Sequence, residues 1–157
     1  MKQTLEEIVV NKLMERAWRI SFAESCTAGL ASARLVNVAN ASKVFDASFV
    51  TYANKAKISY LGVSEMSIDH FGVVSEQVAL EMALGAAKAN DAEVGVGISG
   101  IAGPGGGSEK KPVGMVCFGF KIGEESFSAT CQFGDLGRER VRAEAVEFVF
   151  KTLVEKL

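Results

Sequence analysis

Histidine is almost absent from this sequence of 157 residues, in which His70 is the single example. The three cysteines, Cys26, Cys117 and Cys131, are odd in number and widely spaced, and they form no CxxC pair. A structural zinc site needs closely spaced Cys and His ligands, so we expect no metal. Unpaired cysteines are typical of reduced thiols in a cytoplasm, and we therefore expect a cytoplasmic protein.

Long apolar runs are also missing, since no stretch approaches the ~20 residues that a membrane-spanning helix needs. The N-terminal segment carries Glu6, Glu7 and Glu15 inside its apolar pattern, unlike a signal peptide. A formal net charge of −2 gives no net attraction to nucleic acid or to anionic lipid. We therefore expect neither a membrane nor a nucleic acid as partner.

Proline is scarce, with 2 residues, whereas 48% of the sequence is hydrophobic, which predicts an ordered core. Hydrophobic periodicity and turn residues predict alternating helices and strands, then a hairpin around Gly123-Glu124 and a final helix. This order predicts one α/β domain over residues 1–157, a layered domain with a mixed parallel and antiparallel sheet flanked by helices. The predicted helices cover about residues 3–17, 27–37, 54–62, 75–90 and 138–156, and the predicted strands about 19–25, 43–53, 92–99, 113–122 and 125–133.

Residues 24–27, Glu-Ser-Cys-Thr, place four reactive groups between a predicted strand and a predicted helix. Ligands of open α/β sheets usually bind at such carboxyl ends of strands. If the helix begins at about Thr27, its free N–H groups favour an oxyanion or a phosphate. Ser25 or Cys26 is then a candidate nucleophile whose intermediate the nearby amides stabilise. The alternative is that Ser25 and Thr27 only cap a helix.

A serine nucleophile needs a base, and the sequence offers lysines in place of histidine. His70 lies in "DHFG" without a partner motif, which is more typical of a structural residue. A lysine can act as the base when burial lowers its pKa toward neutrality. The segment "TYANKAK" supplies Tyr52, Lys55 and Lys57 at the end of a predicted strand. One of these lysines can face the sheet edge, although two solvated lysines are the alternative.

The glycine-rich segment "ISGIAGPGGGSEKKPVG" resembles a phosphate-binding loop only in its glycine content. It lacks the GK[ST] ending, and no helix pattern follows it, so we do not expect a P-loop. A loop that covers a site, with Ser99 and backbone amides facing a ligand, is one interpretation. A long surface connection is the other.

Arg138 and Arg142 lie one helical turn apart on one face of the last predicted helix. Paired guanidinium groups suit a phosphate or a carboxylate. Surface pairing with Glu139 and Glu144 is the alternative. Together with the Ser25 segment and the lysines, these patterns indicate a serine that acts on a small anionic substrate.

Five segments in order resemble one known family: "AESCTAGLASARL", "FVTYANKAKISYLGV", "FGVVSEQVALEMA", "GISGIAGPGGGSEKKPVG" and "GRERVRAEA". They follow the pattern of the CinA C-terminal domain, the nicotinamide-nucleotide amidases of pyridine nucleotide salvage. The resemblance implies an α/β fold and hydrolysis of nicotinamide mononucleotide to nicotinate mononucleotide and ammonia, with no metal and no cofactor. Longer CinA proteins carry an additional N-terminal domain, and this chain, at 157 residues, resembles the stand-alone amidase.

The resemblance also implies roles for individual residues. Ser25 corresponds to the nucleophile, Lys57 to its general base with Lys55 as the fallback, and Tyr52 to a residue that orients one of them. Ser99 corresponds to a contact for the amide or the intermediate. The implied oxyanion and substrate contacts are Cys26, Thr27, Gly29, Gly100 and either Arg138 or Arg142, which would hold the nucleotide phosphate. Small α/β enzymes of this kind are often dimers, so we expect a homo-oligomer that binds a small nucleotide.

Four departures from the family pattern bear on these roles. Ala28 replaces a common second glycine, a change that is tolerated unless its φ is positive. Ser99 replaces threonine and keeps the hydroxyl group. The loop reads "GPGGGS" where an aspartate usually follows the proline. "GDLGR" is longer than the usual "GDR" and leaves open which arginine reaches the phosphate. The alternatives are Cys26 as the nucleophile, a nucleotide-binding module that performs no catalysis, and an interaction domain tied to DNA uptake or recombination, which only the family's naming for competence suggests.

Overall fold

A single mixed sheet forms the centre of the computed structural model, which describes residues 2–157. Its five strands are β1 (Ile20–Glu24), β2 (Phe49–Val50), β3 (Val94–Gly100), β4 (Met115–Ile122) and β5 (Glu125–Gln132). They lie in the order β2-β1-β3-β4-β5, with β1 parallel to both β2 and β3 and with β4 and β5 antiparallel. The predicted α/β class with a mixed sheet is confirmed.

Helices cover both faces of the sheet. They are α1 (Leu5–Arg16), α2 (Leu30–Leu35), α3 (Asn54–Leu61), α4 (Glu65–Phe71), α5 (Glu76–Ala89) and α6 (Arg138–Lys156), with a short 3₁₀ turn at Ala41–Lys43. Helices α1, α2 and α6 pack together on one face, whereas α5 crosses the other face and packs against α3 and α4. In residues 2–157 no helix is both long and apolar enough to cross a membrane.

Alternating side chains along β3 explain how α5 lies so close to the sheet. Val94, Val96 and Ile98 belong to the large apolar core, while Gly95 and Gly97 face α5. A Cβ atom on Gly97 would lie 2.1 Å from the carbonyl oxygen of Ala79 in α5, which no side chain tolerates. The glycines therefore allow close packing that fixes β3 and the residues at its carboxyl end.

Several predicted boundaries are confirmed. Helix α6 spans Arg138–Lys156, and β4 and β5 form an antiparallel hairpin in which Ile122 pairs with Glu125. Ser75 caps α5 by accepting a hydrogen bond from the Val78 N–H at 3.2 Å. Helix α3 ends at Gly62, whose φ of 70° lies in the left-handed region that glycine tolerates.

Two predictions of local structure differ from what is observed. The strand predicted over residues 43–53 shrinks to Phe49–Val50 because side chains replace part of the backbone ladder with β1. Ser21 Oγ donates to the Ala47 carbonyl, and Ser48 Oγ accepts from the Phe22 N–H. The helix predicted from residue 27 begins only at Leu30, since Ala28 and Gly29 have left-handed φ values of 47° and 102°. Helix α4 covers residues for which neither a helix nor a strand was predicted.

Candidate active site

The carboxyl ends of three neighbouring parallel strands meet at one edge of the sheet and form a cavity of about 280 Å³. Ser25 follows β1, Tyr52 comes shortly after β2, and β3 ends at Gly100. The glycine-rich loop after β3 and the first residue of α6 complete the lining. Of the predicted site residues, the structure brings seven to this cavity and leaves Thr27, Gly29 and Arg142 outside the lining; the seven are Ser25, Cys26, Tyr52, Lys57, Ser99, Gly100 and Arg138.

A buried lysine contacts the candidate nucleophile directly. Lys57 Nζ lies 3.0 Å from Ser25 Oγ, and the lysine is only 1% exposed. The same nitrogen donates to the carbonyl oxygens of Thr51 at 2.7 Å and Tyr52 at 3.4 Å. These two carbonyls fix the amine so that its third position faces the serine hydroxyl.

The environment of Lys57 suits it to exchange a proton with Ser25. Burial disfavours its ammonium form and lowers its pKa to about 8, while the nearby Cys26 acts weakly in the opposite direction. A substantial fraction of the amine is therefore neutral near pH 8 and can accept the serine proton. Lys55, the other candidate base, is exposed and lies outside the cavity lining.

Glu24, immediately before Ser25, is fully buried and binds the beginning of α2. Its carboxylate accepts hydrogen bonds from the Thr27 hydroxyl at 2.7 Å, the Ala31 N–H at 2.8 Å, and both the Ser32 N–H at 3.0 Å and the Ser32 hydroxyl at 2.7 Å. The first amides of α2, which begins at Leu30 and not at Thr27, are therefore occupied. Neither Ser25 nor Thr27 caps α2, whose N-cap is Gly29.

The amides next to the nucleophile remain available. Within residues 2–157, the N–H groups of Cys26 and Thr27 donate to no other residue, although the Cys26 N–H lies close to its own thiol. By contrast, the Ser25 N–H donates to the Ile98 carbonyl, and the Ala28 N–H donates to the Ser25 carbonyl. Two free donors thus directly follow Ser25, although Thr27 itself lies outside the cavity lining.

The Cys26 thiol is poorly suited to be the nucleophile. Burial raises its pKa to about 11, and the nearby Glu24 carboxylate acts in the same direction. The positive charges of Arg142 and Lys57 oppose this shift but do not outweigh it. Because the thiolate is the reactive form, a thiol that remains protonated at neutral pH is a weak nucleophile.

Arg138 occupies the mouth of the cavity. Its guanidinium donates to the Gly103 carbonyl at 2.7 Å and to the Tyr52 hydroxyl at 2.8 Å, and so connects the glycine-rich loop to the segment after β2. The expectation that the Tyr52 side chain orients Lys57 or Ser25 does not match these contacts. Its hydroxyl is bound to Arg138, and only its backbone carbonyl contacts Lys57.

Arg142, one turn further along α6, binds the nucleophile turn instead of facing the cavity. Its Nε donates to the Cys26 carbonyl at 2.7 Å and its Nη2 to the Thr27 carbonyl at 3.2 Å. A direct phosphate contact for Arg142 does not match this position. Helical spacing predicted that both arginines share a face, but which group each one contacts depends on the loops that pack there.

Ser99 and Gly100 bring the end of β3 into the lining. The Ser99 hydroxyl is 1% exposed and donates to the Val73 carbonyl at 2.7 Å, so its lone pairs remain free to accept a hydrogen bond. His70 is exposed on α4 and does not line the cavity. Within residues 2–157, no three His, Cys, Asp or Glu side chains are grouped closely enough to hold a metal ion.

Ala28 stands where a glycine is common in the family pattern, and its backbone has the positive φ that favours glycine. Its φ of 47° lies in the left-handed region, which costs a non-glycine residue about 1–2 kcal/mol. Gly29 follows with a φ of 102° and forms the N-cap of α2. The turn after Ser25 is therefore held in a strained conformation by its surroundings, among them the contacts of Glu24 and Arg142.

A family model described as the CinA C-terminal domain matches residues 2–157. The chain belongs to the CinA C-terminal domain family. Solved structures of the superfamily share its fold closely. A competence/damage inducible protein, CihA, from Agrobacterium tumefaciens superposes with a TM-score of 0.92 and 38% identity, covering 99% of this chain and 98% of that one. A CinA superfamily protein from Escherichia coli superposes with a TM-score of 0.92 and 36% identity, covering 98% of this chain and 91% of that one.

Curated relatives fall into two length classes. A CinA-like protein from Kosmotoga olearia is 44% identical over 98% of this chain, but the match covers only 38% of that protein. A nicotinamide-nucleotide amidohydrolase PncC from Enterobacter agglomerans is 48% identical over 92% of this chain, and the match covers 88% of the relative. The chain thus spans little more than a third of the longer CinA-like relative and most of the PncC protein.

Proposed function

We propose that this CinA-family chain is a nicotinamide-nucleotide amidase that hydrolyses nicotinamide mononucleotide to nicotinate mononucleotide and ammonia. The observation that carries the proposal is the 3.0 Å contact between the buried Lys57 amine and Ser25 Oγ in the cavity. The name of the PncC relative, which is 48% identical, supports the same activity. Ser25 is the proposed nucleophile and Lys57 the proposed general base.

In the first half of the proposed reaction, Ser25 Oγ attacks the carboxamide carbon while neutral Lys57 takes the hydroxyl proton. The carbonyl oxygen becomes an oxyanion, for which the free N–H groups of Cys26 and Thr27 are the proposed donors. The Lys57 ammonium then gives its proton to the amide nitrogen, the C–N bond breaks, and ammonia leaves. A nicotinoyl ester of Ser25 remains.

In the second half, water attacks the ester and gives its proton to Lys57, which has returned to the neutral form. The tetrahedral intermediate collapses, the C–O bond to Ser25 breaks, and the serine recovers a proton from Lys57. Ser99 is proposed to accept a hydrogen bond from the substrate amide. Because its proton is engaged, its oxygen acts as an acceptor for an N–H of the substrate amide.

The phosphate of the substrate is assigned to Arg138. Lys57 and Arg138 are the charged residues that line the cavity, which therefore attracts an anion. Asn54, the first residue of α3, lies in the same lining, and no side chain caps that helix, so its first amides are open to a phosphate. A grip on the phosphate, remote from the scissile bond, would orient the amide toward Ser25.

Ammonia release from nicotinamide mononucleotide by wild type and by Ser25→Ala tests the proposal. We expect release by wild type and a collapse in the variant, with the unfolding temperature unchanged and nucleotide binding retained by calorimetry. If wild type binds the nucleotide and releases no ammonia, the chain is a nucleotide-binding module and the amidase proposal fails. If Ser25→Ala still releases ammonia, the amidase activity stands, but Ser25 is not its nucleophile.

A further inference from the structure

Arg142 makes contacts that have no part in the proposed reaction steps. Its guanidinium, half-buried on α6, donates to the two successive carbonyl groups that follow the nucleophile, those of Cys26 and Thr27. Within residues 2–157 no carboxylate lies within ion-pair distance of it. These two charge-assisted hydrogen bonds are therefore the interactions that hold this cation in place.

Because the peptide group is planar, a contact that holds its carbonyl also sets the direction of its N–H group. In a trans peptide, the carbonyl of one residue and the N–H of the next point in opposite directions. Because Arg142 draws the Cys26 carbonyl toward α6, the Thr27 N–H in the same peptide points away from α6. The second contact fixes the next peptide, whose Ala28 N–H closes the turn onto the Ser25 carbonyl.

The turn needs such support because its own backbone preferences oppose it. Ala28 has a φ of 47°, so the observed conformation is not the one an unrestrained alanine prefers. Glu24 holds the turn through the Thr27 hydroxyl and the start of α2. Arg142 binds the same turn through the Cys26 and Thr27 carbonyl groups.

We propose that Arg142 is a positioning residue, which orients the Cys26–Thr27 peptide and thereby the amides beside Ser25. This proposal rests on the Ser25–Lys57 chemistry above and separates the two arginines by role. Arg138 binds the substrate phosphate at the cavity, whereas Arg142 acts through the nucleophile turn and contacts no substrate. Loss of Arg142 should therefore slow the chemical step for any substrate, with or without a phosphate.

The first test compares nicotinamide mononucleotide with nicotinamide riboside, which lacks the phosphate. For Arg142→Met we expect kcat to fall about 100-fold on both substrates, the loss typical of one oxyanion donor, with KM nearly unchanged. Arg142→Lys, which keeps the charge and one or two donors, should fall between wild type and Arg142→Met. Arg138→Met should instead raise KM for the mononucleotide more than KM for the riboside, and it should lower kcat less than Arg142→Met does.

Arg140→Met is the matched control, because Arg140 lies on the same helix, is largely exposed and, among residues 2–157, forms an ion pair with Glu144 alone, at 4.0 Å. It should match wild type in every assay. A loss in Arg142→Met that is confined to the mononucleotide and expressed in KM would make Arg142 a phosphate ligand and overturn the proposal. An unchanged kcat would overturn it as well.

A second readout does not depend on the amidase activity. With a fluorophosphonate probe, Ser25 Oγ attacks phosphorus, an O–P bond forms, fluoride leaves, and the serine proton passes to Lys57. We expect Arg142→Met and Arg142→Lys to be labelled more slowly than wild type, with the same pH of half-maximal rate because Lys57 is untouched. Slower labelling in a protein that releases no ammonia would support the positioning role while the amidase proposal fails. Equal labelling of all variants, or no labelling of Ser25 in wild type, would overturn the positioning role.

Discussion

Glu24 and Lys57 are two buried ionisable residues near Ser25. They differ in the hydrogen bonds that stabilise the charged form of each side chain. The Glu24 carboxylate accepts four hydrogen bonds, two of them from backbone N–H groups. The Lys57 amine has three neutral acceptors, one of them Ser25 itself, and burial lowers its pKa to about 8. Equal burial thus gives a structural carboxylate in one case and a reactive amine in the other.

The largest effect expected from this comparison concerns activity. Lys57→Met and Ser25→Ala should each lower kcat about 10⁴-fold or more, and the double variant should lose no more than the worse single one, because the two residues act as a unit. Lys55→Met is the matched control, since Lys55 is exposed and lies outside the cavity lining. Ammonia release by wild type and the four variants checks this, and additive losses would show that the two residues act separately.

Glu24→Gln should reveal the structural side of the comparison. A glutamine places an NH₂ group against the Ala31 N–H or against the Ser32 N–H, whichever way the amide turns, so one buried donor loses its acceptor. We expect the free energy of unfolding to fall by about 2–3 kcal/mol, measured by denaturant titration. Lys57→Met should cost less, because it also removes an unfavourably buried amine. The reverse order would contradict the division of roles.

The smallest predicted effect concerns the strained turn after Ser25, which contains Ala28. Ala28→Gly relieves a positive φ but adds freedom to the unfolded chain, so we expect a net stabilisation of about 0.5–1 kcal/mol. Ala33→Gly, in the interior of α2 and without a positive φ, should instead destabilise by about 0.5–1 kcal/mol. The unfolding temperatures of the two variants test this prediction. A lower unfolding temperature for Ala28→Gly would contradict the claim that Ala28 is strained.

Local sequence patterns predicted the fold class, the hairpin and the strand ends that carry Ser25 and Ser99, because apolar periodicity and turn residues act over a few positions. They did not predict the role of Glu24, although its place before Ser25 was visible. Its partners lie seven and eight residues further along the chain, and a left-handed turn at Ala28 and Gly29 brings them back to it. The predicted start of this helix at Thr27 was wrong for the same reason, since α2 begins at Leu30.

The two lysines and the two arginines show a related limit. Spacing left Lys55 and Lys57 open as alternatives, and only the packing of α3 against its neighbours, which buries Lys57 and leaves Lys55 exposed, separates them. Arg138 and Arg142 share a helix face as predicted, yet one meets the glycine-rich loop and the other the turn after Ser25. Which of two neighbouring side chains reaches a site depends on segments that are distant in the sequence.

The titration of the Lys57 amine itself tests the central claim most directly. NMR of the side-chain nitrogen in the free protein, assigned by its loss in Lys57→Met, would follow this one group. Below its pKa the amine is an ammonium ion and cannot accept the Ser25 proton, so activity should rise with pH through the same midpoint. The account predicts a midpoint near pH 8. An amine that stays protonated beyond about pH 10, as an exposed lysine does, would contradict it.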